Sequence, residues 1–343
     1  MNRFKRMVVP LLMLLIVTAC QSEPEPLQEG DDLERKPFNE VPAREEAVEV
    51  EQAELPFVHP LSGIGTYEVE TTRPLAVVVS NDRNARPLTG LQEADIVYEV
   101  LTEASITRFI AIYHSEHPET IGPVRSAREV FIDLSSGFDS LFVAHGFSPG
   151  AEARIQADDL YEVNGMHYDG SLFKRVATRP APHNSYVHYD ELLAHAEQAG
   201  IPMSLDTPPL SFRDEAIDGN AASGVTISYM GRSSAEYQFD AEDREYIRFS
   251  DGEPLIDEVS GEAYRTKNVM VVEAPHSIID DAGRREIDVL AGGAGLLLQD
   301  GKYQEVNWTN VDGRIVPDGE QLIEGNTWIN IVDSLDSVTI QDE

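Results

Sequence analysis

Asp95-Ile-Val-Tyr-Glu-Val-Leu101 and, four residues later, Ile106-Thr-Arg-Phe-Ile-Ala-Ile-Tyr113 decide the fold. Both runs are rich in β-branched and aromatic residues and alternate in polarity, and only a tight turn fits between them. They predict an antiparallel hairpin. Upstream, Leu75-Ala-Val-Val-Val-Ser80 reads as a buried strand, and Leu141-Phe-Val-Ala-His145 as another short one. Pro123 suits the first position of a helix carrying Val124, Ala127, Phe131 and Leu134 on one face. A second helix is expected from about Tyr189 to Ala199, closed by Gly200. Residues 60–212 therefore read as a mixed α/β domain.

Past about residue 222 short strands dominate, among them Val225–Met230, Asn268–Glu273, Gly295–Gln299, Tyr303–Trp308 and Trp328–Val332. Asp300-Gly301 is a strong hairpin signal, and Asp251-Gly252 and Asp312-Gly313 add turns. Residues 213–343 read as a smaller, mainly-β domain, a sandwich or partly closed barrel. The fold class is α+β. The Pro/Asp-rich stretch 202–220 is the expected hinge.

The chain has 343 residues, 26 Lys and Arg against 61 Asp and Glu, and a net charge of −35. Such a chain repels phosphate backbones, which excludes broad nucleic-acid binding. One cysteine rules out internal disulfides and zinc sites built from several thiolates. No P-loop and no Gly-rich dinucleotide fingerprint occurs, so no cofactor is expected, and the histidines lack metal-ligand spacing.

Arg3, Lys5 and Arg6 precede an apolar stretch, Met7–Val17, of secretory length. Val17-Thr18-Ala19-Cys20 has the form of a bacterial lipobox. It predicts a signal peptide over residues 1–19, cleavage before Cys20, and lipidation there by a thioether-linked diacylglycerol and an acyl chain such as palmitate. Residues 20–59 are expected to form an acidic, disordered tether, with twelve acids against three bases between residues 21 and 59. The alternative is an arm docked through Leu55, Phe57 and Val58. This places the folded part on the extracytoplasmic face of the cell membrane, held by lipid.

Three clusters are candidates for chemistry. Ile121-Gly-Pro-Val-Arg-Ser-Ala-Arg128 would set Arg125, Ser126 and Arg128 at a helix start with free amides, suited to a carboxylate or phosphate, unless the arginines pair with acids such as Glu129 or Asp133. In the hairpin, Arg108 needs a partner, and Asp95 or Glu99 is the natural one. The same two acids could otherwise act as the acid and base of a hydrolase. His145-Gly-Phe-Ser-Pro-Gly150 matches G-x-S-x-G, but Pro149 after Ser148 has no N–H for an oxyanion, so Ser148 reads better as a helix N-cap. Downstream, Arg179-Pro-Ala-Pro-His-Asn-Ser-Tyr186 presents His183 and Asn184, which with His145 could complete a polar pocket.

With these segments quoted, the chain resembles the YerB-like bacterial lipoproteins, a family defined by a domain of unknown function. The resemblance rests on Ala85-Arg-Pro-Leu-Thr-Gly-Leu-Gln-Glu-Ala-Asp-Ile-Val-Tyr-Glu, Ile106-Thr-Arg-Phe, Ile121-Gly-Pro-Val-Arg-Ser-Ala-Arg, His145-Gly-Phe-Ser-Pro, Ala181-Pro-His-Asn-Ser-Tyr and Arg285-Glu-Ile-Asp-Val. It implies a lipid anchor, an N-terminal α/β domain and a separate C-terminal domain, and it brings no established reaction. Phe147 departs from the small residue expected there. The leading reading is an envelope binding or accessory module for a small anionic ligand or wall fragment. The alternatives are a hydrolase acting on an envelope polymer and a scaffold for another envelope protein. The sequence leaves open whether the protein is an enzyme.

Overall fold

In a computed structural model, residues 55–342 apart from residue 159 are described. The leader, Cys20 and the tether up to residue 54 lie outside the described residues.

An eleven-stranded sheet organises the fold. Its strands in chain order are β1 (Leu75–Ser80), β2 (Ile96–Leu101), β3 (Thr107–Tyr113), β4 (Leu141–Ala144), β5 (Glu162–Asn164), β6 (Asn220–Ala221), β7 (Asn268–Glu273), β8 (Gly293–Gln299), β9 (Lys302–Val311), β10 (Arg314–Pro317) and β11 (Thr327–Val332). Across the sheet the order is β6-β9-β8-β7-β11-β2-β3-β1-β4-β5, with β10 paired to β9. The β2–β3 hairpin is antiparallel, as its alternation requires. Strands β1, β4 and β5 are parallel neighbours, and β11 joins β2 in parallel.

Alternation splits the core onto two faces. Leu75, Val77, Val79, Val97, Phe109 and Trp328 face a six-stranded antiparallel sheet containing Gly224–Tyr229, Ser233–Asp240 and Glu245–Ser250. Ala76, Val78, Ile96, Tyr98, Val100 and Ile110 face helices α1 (Glu129–Ser136) and α2 (Pro149–Ala157). Two further helices, α3 (Gly165–Tyr168) and α4 (Tyr189–Gln198), complete the set, and Gly200 after α4 has φ +74°. The protein is thus mixed and strand-rich, in the α+β class.

Three expectations change. Residues 213–343 do not close on themselves: β6–β11 extend the sheet begun by β1–β5, and the remaining strands cover it. The stretch 202–220 is no free hinge, because Leu205 N–H bonds Thr71 O (2.7 Å), Leu210 N–H bonds Pro60 O (2.8 Å) and Phe212–Arg213 pairs with Leu322–Ile323. Residues 55–59 belong to the folded part. Phe57–Val58 pairs with Gly65–Thr66, and the Leu55 side chain lies against Gly65.

Candidate functional site

Parallel strands β1, β4 and β5 end side by side, where Asn164 closes β5 and the chain beyond β1 and β4 supplies Asp82 and His145. In open sheets, crevices beyond the carboxyl ends of parallel strands are where ligands bind. Residues 122–128 cross these ends as an extended strap rather than as the helix start expected from Pro123. Val124 N–H donates to Ser185 O (2.7 Å), Arg125 N–H to Val78 O (2.9 Å) and Ala127 N–H to Gly146 O (2.9 Å). The amides proposed for an anion are therefore already used, and α1 begins only at Glu129. Tertiary hydrogen bonds outweigh the local helix-start preference of one proline.

The strap nevertheless gathers the arginines. Arg128 pairs with Glu103, in the turn of the β2–β3 hairpin, and donates to Ala127 O at 2.6 Å. Arg108 reaches the same Glu103 at 3.2 Å and donates to Ser126 O at 2.7 Å. Burial, with Arg128 beside it, brings the Arg108 guanidinium down to about 9. Arg125 has no carboxylate at ion-pair distance among the described residues. Its Nη1 donates to Pro182 O at 3.3 Å. Burial lowers its pKa, and Arg128 and Arg175 add to this while Asp82 opposes it.

His145 sits at the end of β4. Arg175 Nη2 donates to its Nε2 at 3.0 Å, so Nδ1 carries the hydrogen and donates to Ser185 Oγ at 2.8 Å. Burial, then Arg175, holds its pKa below the ordinary value. The ring packs so closely on Gly165 that a Cβ there would lie 2.4 Å from its Cγ. Arg175 is bound by Asp169 (2.9 Å) and donates to Asn184 Oδ1 (3.0 Å). His183 Nε2 lies 3.9 Å from Asp82, its Nδ1 is buried without a partner, and burial lowers its pKa. Ser126 Oγ donates to His145 O at 3.0 Å. Ser148 caps α2, accepting from Ala151 N–H (3.1 Å) and donating to Glu129 (2.9 Å), with Pro149 in the first turn.

The structure thus brings Arg125, Ser126, Arg128, His145, His183 and Asn184 into one neighbourhood and leaves Ser148 as a cap beside it. The sequence reading missed Asp82, Glu103, Asp169, Arg175 and Ser185. Only Ser185 carried a signal, inside the quoted His183-Asn-Ser-Tyr stretch.

The Asp95/Glu99/Arg108 expectation is corrected. In the hairpin register Val100 faces Arg108 and Glu99 faces Phe109, so Glu99 and Arg108 project from opposite faces. Glu99 instead pairs with Arg248 at 2.6 Å and accepts from Asn81 and Thr107. Asp95 accepts the N–H groups of His114 (2.7 Å) and Ser115 (3.0 Å). Both acids are buried and engaged in the fold. Among the described residues no group of three or more His, Cys, Asp or Glu is placed to hold a metal.

Fold and site together define a strand-rich α+β protein with an arginine–histidine cluster beyond the ends of its parallel strands. The chain belongs to the family described as "Protein of unknown function (DUF3048)". Residues 61–202 match its N-terminal domain and residues 225–329 its C-terminal domain. It is 47% identical over 290 residues to the Bacillus subtilis (strain 168) protein named "Putative lipoprotein YerB", covering 82% of this chain and 88% of that one. The crystal structure of YerB protein from Bacillus subtilis superposes with a TM-score of 0.79 at 45% identity, covering 83% of this chain and 99% of that chain.

Proposed function

We propose that this protein is a lipid-anchored module of the bacterial cell envelope, tethered through Cys20 on the extracytoplasmic face, and that it binds a small anionic ligand or wall fragment at the Arg125 cluster. The lipobox and the similarity to a protein named as a lipoprotein support the anchor. No helix among the described residues is long and apolar enough to cross a membrane. Within the chain, residues 60–212 and 213–343 are two regions of sequence joined through one shared sheet.

One observation carries the ligand reading. In a chain of net charge −35, four guanidiniums (Arg108, Arg125, Arg128 and Arg175) gather around His145 and His183, and Arg125 has no carboxylate at ion-pair distance among the described residues. A guanidinium held on a rigid strap with no carboxylate at ion-pair distance suits a carboxylate or phosphate. The hydrolase alternative has less support: both His145 ring nitrogens are engaged, Asp95 and Glu99 are buried in the fold, and of its named groups only His183 keeps a ring nitrogen without a partner.

The test is a thermal-shift screen of the full chain with muropeptides, small carboxylates and phosphates, repeated on Arg125→Ala and His183→Ala. A ligand that binds the native state raises the melting temperature by mass action. A hit abolished by Arg125→Ala supports the site. Hits that survive both substitutions, or no hit across the panel, remove it.

A further inference from the structure

A second cleft lies away from the Arg125 cluster. It has a volume of about 1020 Å³ and runs between α1, α2 and the hairpin formed by His276–Ile278 and Arg285–Ile287. Val130, Ile279, Ile287, Val289 and Leu290 supply apolar walls, with Ile279 and Leu290 still largely exposed. The size is at the upper end for a small-molecule site.

Among the residues that line the cleft is an unbalanced cation. Arg285 is only 9% exposed, yet no carboxylate among the described residues lies at ion-pair distance. Its Nε is buried without a partner, and Nη2 meets only Ala104 O (3.5 Å) and Met230 Sδ (2.8 Å). The acids on the helix wall are already engaged, Asp133 by Arg154 of the same wall at 2.8 Å and Glu129 by Ser148 at 2.9 Å. A buried charge without a partner is costly, so an anion delivered from outside would gain what the fold withholds.

His276 adds the opposite function. Its Nδ1 donates to Ala274 O at 2.8 Å, which leaves Nε2 as a buried acceptor with no donor. In the hairpin register His276 faces Ile287 and Ile278 faces Arg285, so His276 and Arg285 are diagonal neighbours on one face. Such neighbours lie roughly 7 Å apart at Cα, within reach of one short ligand. A carboxylate beside an N–H donor satisfies both side chains. A dianionic phosphate fits less well, because four acids, Glu129, Asp133, Glu286 and Asp288, line the same cleft against two arginines, and one of these, Arg154, is already paired with Asp133.

We propose that this cleft binds the terminal α-carboxylate of an N-acylated apolar amino acid, with the carboxylate on Arg285, the adjacent amide N–H on His276 Nε2 and the apolar side chain against Ile287 and Val289. The site is distinct from the Arg125 cluster and does not depend on it.

Calorimetric titration of the full chain with N-acetyl-leucine tests this, with N-acetyl-leucinamide as the uncharged control. Saturable binding is expected to weaken about tenfold or more for the amide, and as much in Arg285→Gln, because a charge-assisted hydrogen bond is lost. Ala153→Trp, at an exposed position on the α2 wall, should block the cleft without touching the core. Arg125→Ala should leave the titration unchanged. The proposal falls if N-acetyl-leucine shows no saturable binding, if the amide binds equally well, or if Ala153→Trp has no effect. Should Arg285→Gln fail to fold, Ala153→Trp decides alone.

Discussion

Glu99 and Arg248 meet at 2.6 Å with side-chain exposures of 2% and 0%, far from any solvent that could share their charge. Burial works against the Arg248 guanidinium, but Glu99, with Tyr237 and Tyr229 around it, holds its pKa above the ordinary value. Arg248 also lies over the Tyr237 ring at 5.0 Å and the Trp328 ring at 5.7 Å. Arg248→Met should therefore cost about 3–5 kcal/mol in urea unfolding, since it strands a buried carboxylate. Adding Glu99→Gln should recover part of that loss, and a double variant as unstable as the single one would contradict the pairing. A more exposed pair tests the acid limb. Burial alone would raise the Asp251 pKa, but hydrogen bonds from Arg83 and Arg86 bring it from the ordinary 3.8 down to about 2. A carboxyl with a lowered folded pKa stabilises above its unfolded value and loses that contribution as pH falls through the folded one. Asp251→Asn should cost about 1 kcal/mol at pH 6, discounted for solvent screening. The gap to wild type should close between pH 4 and pH 2, measured by urea midpoints. At this scale the sequence revealed side-chain parity but not partners. Alternation placed Asp95, Val97 and Glu99 on one face, yet Arg248 is far away in the chain, and only the three-dimensional register brings it there.

Among the elements, those with local chemistry were legible. Asp300-Gly301 turns β8 into β9 with φ of +50° and +71°, the twist a two-residue hairpin needs. Ser148 and Pro149 start α2 as their residue types suggest. The strap over residues 122–128 was not legible, because its conformation is fixed by bonds to Val78, Gly146 and Ser185, which come from separate parts of the chain. The same absence of local signal hid the Glu103 and Arg175 partners of the cluster, whereas β10 was missed although the Asp312-Gly313 turn before it was legible. Ser148 has a structural role that can be separated from ligand binding. Ser148→Ala removes the N-cap acceptor and the bond to Glu129, and it should cost about 1–2 kcal/mol by chemical denaturation. It should leave any ligand at Arg125 bound with unchanged affinity once the variant is folded. A nucleophilic role would instead show as lost turnover in a variant of unchanged stability.

At the scale of the whole molecule, the two family regions are separate in sequence and continuous in space. Five residue pairs, from Ile96 with Thr327 to Val100 with Ile331, join β2 of the first region to β11 of the second. Trp328 then packs against Phe109 at 5.4 Å from one region and Tyr237 and Tyr264 at 6.2 Å from the other. Cutting the chain at residue 212 would expose the β2 edge, bare the aromatic cluster and leave Glu99 buried without its cation. Neither fragment could bury its apolar surface alone, because each contributes one side of the same core. The full chain should therefore unfold in a single calorimetric transition, with van't Hoff and calorimetric enthalpies in agreement. Trp328→Ala should lower that one transition rather than split it, at a cost of about 3–5 kcal/mol. Two resolved transitions, or a fragment of residues 213–343 with dispersed amide resonances of its own, would show that the shared sheet is not what unites the halves. The functional consequence follows from the same geometry. The Arg125 cluster rests on β1 and β4, and β3, on the other side of β1, is backed by Trp328, so substitutions in the second region should weaken ligand binding in the first through stability alone, in proportion to the unfolded fraction measured in the same buffer.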